Sequence, residues 1–356
     1  MRPLTLLAVL AVGLASATAP FVGPRASSTR HYVCYRAPRV PVIDGRLDEA
    51  AWDAAAWTET FVDIEGDARP APTLRTRAKL LWDDTYLYVA AELEEPDVWG
   101  TLTERDAAIF HDNDFEVFID PDGDTHDYYE LEINALGTVW DLFLVKPYRD
   151  GGPPISGWDI AGLESAVAVQ GTINDPVRRD TSWTVELALP WKALAEAAPE
   201  KRRPRDGEQW RLNFSRVEWD VDARDGSYVK RADPATGKPL PEHNWAWSPQ
   251  GAVNMHMPER WGIIQFSDVR AGERKVAFTP PRDEDLRWAL RDVYYAETSF
   301  FRKHGRYTDD LADLDLGAEW QRPSRFTLYA LQGQYEATAR DSDDVTTWHI
   351  RQDGRI

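Results

Sequence analysis

The chemistry-bearing residues of this chain are concentrated between Asp106 and Val145. Asp106, Asp112, Asp114, Glu116, Asp120, Asp122, Asp124, Asp127, Glu130, Glu132 and Asp141 stand there without a single Lys or Arg between them. Carboxylates this dense repel one another unless a cation or hydroxyl donors lie among them. One subset, Asp120-Pro-Asp122-Gly-Asp124-Thr-His-Asp127, sets oxygen donors on alternate residues around a glycine turn. That is the hard-ligand pattern calcium favours, although the spacing is not that of an EF-hand. Calcium at Asp120, Asp122, Asp124 and Asp127 is one expectation, and an acidic hairpin tip kept soluble by charge is the other. In a second subset Glu116 alternates with Phe115 and Val117, while Glu130 and Glu132 share a face of the next apolar run. If these runs pair, Glu116, Glu130, Glu132 and Asn134 project from one sheet face. Such a row suits hydrogen bonding to sugar hydroxyls. The catalytic alternative is a glycoside hydrolase using Glu116 with Glu130 or Glu132, which needs a fixed carboxyl separation and one raised pKa.

Holding such a row in register requires strands, and the sequence supplies them. Thr76, Ala78 and Leu80 alternate with Arg75, Arg77 and Lys79, and Asp83-Asp84-Thr85 turns this run into Tyr86–Leu93. Further alternating runs fall at 115–119, 128–133, 139–145, 183–189, 210–215 and 260–266; only 191–198, after Pro190, has helical character. This spacing predicts an all-β, two-sheet antiparallel sandwich over 38–268 rather than βαβ units. Residues 269–282 are expected as a linker, and 283–356 as a small α+β module. In that module Leu286 to Phe301 repeats at helical spacing toward Gly305, Thr308 is a candidate cap for a second helix, and 326–340 and 346–350 alternate as strands.

The chain has 356 residues, 43% hydrophobic and 28% charged, with 16 Trp and a net charge of −19. That charge argues against nucleic acid or anionic lipid as a partner. So much tryptophan points to a β-rich core or to binding platforms. Arg2, the apolar run Leu4–Leu14 and Ala15-Ser16-Ala17 predict a signal peptide over 1–17, too short for a lasting membrane anchor. Residues 18–37 are then a lead-in to a secreted or periplasmic mature chain, whose single Cys34 forms no internal disulfide.

Val42-Ile-Asp-Gly-Arg-Leu-Asp-Glu-Ala-Ala-Trp52, Leu81-Trp-Asp-Asp-Thr-Tyr-Leu-Tyr88, Asp112-Asn-Asp-Phe-Glu-Val-Phe-Ile-Asp120, Trp183-Thr-Val-Glu-Leu-Ala-Leu-Pro-Trp191 and Pro258-Glu-Arg-Trp-Gly262 occur in this order. Together they resemble the family 9 carbohydrate-binding modules. The resemblance implies a β-sandwich, often calcium-stabilised, found on secreted enzymes that degrade xylan and cellulose. It also implies two aromatic clamp positions, which fall at Phe110 and near Met255, beside His256; neither is Trp. Glu116 matches the family's acidic ligand contact, Asp114 lies in the same motif, and Glu132 stands where the family has an arginine. Trp140, Trp219, Trp245 or Trp247 could supply substitute platforms, with Arg216 and Glu218 bordering the cleft, whereas Trp52, Trp82, Trp183 and Trp210 are expected in the core. Tyr294–Tyr307 and the terminal Trp348–Ile356 more faintly resemble the globular part of type IV pilin-like proteins. The expected partner is thus an oligosaccharide or polysaccharide, in association with secreted glycoside hydrolases. A structural or surface-assembly sandwich without a ligand is the further alternative.

Overall fold

Period-two patterning lays down most of the chain as strands. In the computed structural model, which describes residues 29–318, 320–340 and 346–356, they run in this order. They are β1 His31–Arg36, β2 Val62–Asp63, β3 Thr76–Trp82, β4 Tyr86–Glu94, β5 Asp114–Asp120, β6 Tyr128–Asn134, β7 Val139–Leu144, β8 Pro154–Ile155 and β9 Glu164–Gln170. There follow β10 Ser182–Pro190, β11 Gln209–Glu218, β12 Val221–Arg224, β13 Ser227–Lys230, β14 His243–Ala246 and β15 Gly262–Arg270, and, in the C-terminal module, β16 Arg325–Ala330, β17 Tyr335–Arg340 and β18 Thr347–Arg351. The expected signal peptide and most of the lead-in lie outside the described residues.

The hydrogen-bonded order is β8-β7-β6-β5-β11-β15-β1-β3-β4-β10-β9, with β14 on β11 and β2. β1 is the seam. It runs parallel to β15 and reaches β3 only at Tyr35–Leu81 and Arg36–Trp82. The two halves close over a shared core in which Ala78, Leu80, Val89, Val185 and Leu187 meet Phe115, Val117, Leu131, Ile133 and Phe214. The fold is therefore the all-β sandwich that the alternation predicts. Trp52, Trp82 and Trp183 are fully buried and Trp210 is 3% exposed. Each removes on the order of 200 Å² from water, roughly 5 kcal/mol of transfer free energy before ordering entropy is charged.

Three boundaries differ from the sequence expectation. The sandwich begins at His31 rather than at residue 38, because β1 comes from the end of the presumed lead-in. The stretch expected as a linker is a strap on the sandwich: Gln265 and Gln209 side chains donate to the Ala277 and Thr279 carbonyls, at 3.0 and 2.6 Å, and His31 stacks on Phe278. The helix after Pro190 is only Trp191–Leu194. In the C-terminal module α-helix Glu284–His304 ends at Gly305, whose φ of 69° suits glycine. Leu290, Val293, Ala296 and Phe300 pack on Ala337, Ala339 and Ile350. The expected second helix is one short turn, Leu311–Asp313, capped by Asp310 rather than Thr308. Thr308 instead bonds Asp313 at 2.9 Å.

The module docks through charge. Within the sandwich Arg149 makes a two-pronged pair with Glu259 at 2.8 and 2.9 Å, and from the module the Tyr295 hydroxyl donates to that carboxylate. Tyr294 donates to Asp150 at 2.5 Å, Arg211 pairs with Glu284 at 2.5 Å, and Arg355 with Asp124 at 2.7 Å.

Candidate functional site

Strands β5, β6, β7 and β11 send alternate residues to opposite faces. Phe115, Val117, Ile119, Leu131 and Ile133 enter the core, so Asp114, Glu116, Glu130 and Glu132 face the other way. Glu116 pairs across with Glu132 and with Ser215, and Glu132 pairs on its other side with Trp140. One end of this outer face is apolar: Phe118, Tyr128, Leu142, Leu144, Met255 and Trp261 pack together there. The carboxylates occupy the remainder. Glu116, Glu130 and Glu132 are 5%, 5% and 2% exposed, and Asp114 is fully buried.

Aromatic groups rim this acidic floor. Phe110, 36% exposed, stands at the Asn134 end, its ring centroid 6.4 Å from Trp140. Its own N–H donates to Glu132 at 3.0 Å, and its carbonyl accepts from the Trp219 indole at 2.9 Å, so the rim is tied to the floor. At the other end Tyr148, 43% exposed, packs edge-on against His256, with 4.4 Å between centroids. His256 in turn meets the Tyr128 hydroxyl at 2.9 Å, and burial pushes its pKa down to about 3, which keeps it neutral.

The electrostatics of the floor are one-sided. Burial pushes Glu116 up to about 7. Burial, compounded by repulsion within the group, raises Asp114, Glu130 and Glu132 well above the usual carboxylate range. No arginine or lysine of the described residues forms an ion pair with any of the four. Oxygens of Asp114, Glu116 and Glu132 come within 4.8 Å of one another.

The sequence-predicted site residues divide in two. Phe110, Asp114, Glu116, Glu130, Glu132 and His256 converge on this face. Asn134, Arg216, Trp245, Trp247 and Met255 do not line it openly. The Asn134 amide is saturated by the Leu102 carbonyl, Asp112 and the Leu136 and Thr138 N–H groups, so it holds turns together. Arg216 and Trp245 are opposite one another in the β11–β14 pair and point inward. Arg216 is sealed between Glu95 and Glu218, at 2.8 and 2.7 Å. Trp247 lies against Gly262, where any Cβ would come within 2.3 Å of its ring. Met255 is 7% exposed within the apolar cluster. Tyr148 and Ser215 were not picked out from the sequence, and only pairing register and loop closure bring them here.

Two other acid groups approach metal-ligand spacing. Asp120, Asp122 and Asp124 have oxygens within 4.8 Å, while Asp127 is not of that group. Asp120 accepts from the N–H groups of Gly123 and Thr125, at 2.8 and 2.9 Å, and Arg355 supplies a positive charge at Asp124. Arg287 also caps the Gly123 carbonyl. Arg355 and Arg287 of the C-terminal module thus bring positive charge to this loop. Asp106, Asp141 and Asp159 form the other group, with Arg105 among them.

Residues 43–248 match the family model described as carbohydrate family 9 binding domain-like. Endo-1,4-beta-xylanase A of Thermotoga maritima is 33% identical over 160 residues, 43% of this chain and 12% of that protein. Exoglucanase XynX of Acetivibrio thermocellus is 28% identical over 156 residues, again 43% of this chain and 12% of the relative. The chain thus spans about an eighth of these relatives' length. Among solved structures, a candidate carbohydrate-binding protein from Bacteroides uniformis superposes with a TM-score of 0.50 at 16% identity, covering 67% of this chain and all of that one. A family 9 module from Caldicellulosiruptor kristjanssonii in complex with glucose has a TM-score of 0.44 at 16% identity, covering 70% of this chain and all of that one.

Proposed function

Because the chain belongs to the carbohydrate family 9 binding domain-like family, we propose that it is a non-catalytic carbohydrate-binding protein that takes an oligosaccharide or glycan end onto the Phe110–Tyr148 face. The observation that carries this reading is the row Glu116, Glu130 and Glu132 laid between exposed aromatic rings. Pyranose C–H faces bury apolar area on such rings while the sugar hydroxyls donate to the carboxylates. In the same proposal the mature protein works outside the cytoplasm, secreted or periplasmic, in polysaccharide breakdown beside glycoside hydrolases. The Leu4–Ala17 sequence supports the location, and the xylanase and exoglucanase names of the relatives support the context. Among the described residues no helix is long and apolar enough to cross a membrane.

A glycan array probed with the full chain, with a reducing-end assay on every bound glycan, tests the proposal. Binding without sugar release is expected. Release that disappears in Glu116→Gln would make the protein a glycoside hydrolase, and neither binding nor release would leave a ligand-free structural sandwich.

A further inference from the structure

The three acid groups of the sandwich differ in one respect. Arg105 sits among Asp106, Asp141 and Asp159, and Arg355 reaches Asp124 of the 120–124 loop, but no cationic side chain of the described residues pairs with Asp114, Glu116 or Glu132. This third group is also the most deeply buried. A fourth carboxylate closes in on it from β6: Glu130 is 5% exposed, yet its Oε2 has no hydrogen-bond partner. Asp114 Oδ2 is likewise unpartnered, while its Oδ1 accepts from the Val217 N–H at 3.0 Å. Buried carboxylate oxygens left without partners are costly, and a charge so placed is normally paired or bound to metal.

Spacing and chemistry agree on what would satisfy them. Oxygens across one calcium-sized ion lie at most about 4.6–5.2 Å apart, since each ligand stands about 2.3–2.6 Å from the ion. The three side chains fall within 4.8 Å of one another. All the donors are hard oxygens, with no sulfur and no free imidazole, because His256 is engaged by Tyr128.

We propose that Asp114, Glu116 and Glu132, with Glu130 alongside them, bind a divalent, oxygen-preferring cation of calcium's class on the outer face of β5 and β6, and that adjacent hydroxyls of a bound sugar complete its coordination. The sugar half rests on the function proposed above; the cation half does not. Ligand recognition through the ion explains how a floor of buried acids receives a neutral polyol: the ion neutralises the acids and offers the hydroxyl oxygens a positive centre.

The test is titration of EDTA-stripped full-length protein with calcium by calorimetry, and with terbium followed by tryptophan-sensitised emission, since Trp140 lies beside Glu132. Both cations should bind. Glu132→Gln, and separately Asp114→Asn in case the first variant folds poorly, should weaken uptake by about tenfold or more, because affinity follows ligand charge. Asp122→Asn, in the separate Asp120–Asp124 group, should keep the uptake that Glu132→Gln removes. No uptake at neutral pH, or uptake lost in Asp122→Asn and kept in Glu132→Gln, overturns the proposal and leaves the four acids sharing protons. Titrating xylo- and cello-oligosaccharides with and without EDTA separates the two claims. Sugar binding that persists in EDTA removes the ion from recognition while the carbohydrate reading stands. Cation uptake without sugar binding does the reverse.

Discussion

Phe110 and Trp245 are both aromatic residues near the same sheet, and they do opposite work. Phe110 is 36% exposed at the rim, whereas Trp245 is 4% exposed and faces the core beneath Arg216. Phe110→Ala should therefore weaken glycan binding by about 1–3 kcal/mol while barely moving the melting temperature. Trp245→Ala should cost about 3–5 kcal/mol of stability, read by denaturant unfolding. If the two variants exchange these phenotypes, the binding face has been placed on the wrong side of the sheet. Phe110 was legible because it precedes a patterned strand in a resembling motif. Trp245 was not, since a one-residue change of register moves a strand's side chains to the other face, and the β11–β14 pairing cannot be read from the local sequence. Glu116, Glu130 and Glu132 were legible for the complementary reason: their alternation with core residues leaves them only one face.

At the level of elements, the C-terminal module holds the turn that carries Tyr148. Tyr148 begins the Tyr148–Asp150 turn, whose Arg149 and Asp150 are gripped by Glu259 and Tyr294. Glu259 is 7% exposed. Burial alone would raise its pKa, but Arg149, with Arg291 behind it, holds it below the usual carboxylate range. A carboxylate with a lowered folded-state pKa contributes stability that is complete above its unfolded value, about 4.3, and is lost as pH falls below it. Thermal stability should accordingly decline from about pH 4.5 downward, and Glu259→Gln should flatten that part of the curve. The same variant leaves Arg149 buried with Asp150 alone, at 3.3 Å, as its carboxylate partner, which should cost about 3 kcal/mol at neutral pH. A variant melting like wild type at pH 7 would mean the pair does not hold the Tyr148–Asp150 turn. The helix of this module was legible from its period. Its docking was not, because Asp124 and Arg355 meet across 231 residues of sequence.

For the whole molecule, a net charge of −19 would strain a sheet whose acids cluster on one side. The fold answers by bringing Arg355, Arg287 and Arg149 against that side. Contacts this buried should couple sandwich and module into one cooperative unit, so that calorimetry of the full chain gives a single transition. Two resolved transitions would show that the interface is weak. The sandwich itself was legible from strand spacing, whereas the seam strand β1 was hidden by its position beside the Pro- and Ser-rich stretch before it. The central claim concerns what binds the face between Phe110 and Tyr148. It is tested most directly by calorimetric titration of xylo- and cello-oligosaccharides into wild-type protein and Glu116→Gln side by side. Saturable binding by the wild type, weakened about tenfold or more in Glu116→Gln, is the predicted result; equal binding by both proteins, or none by either, would contradict it.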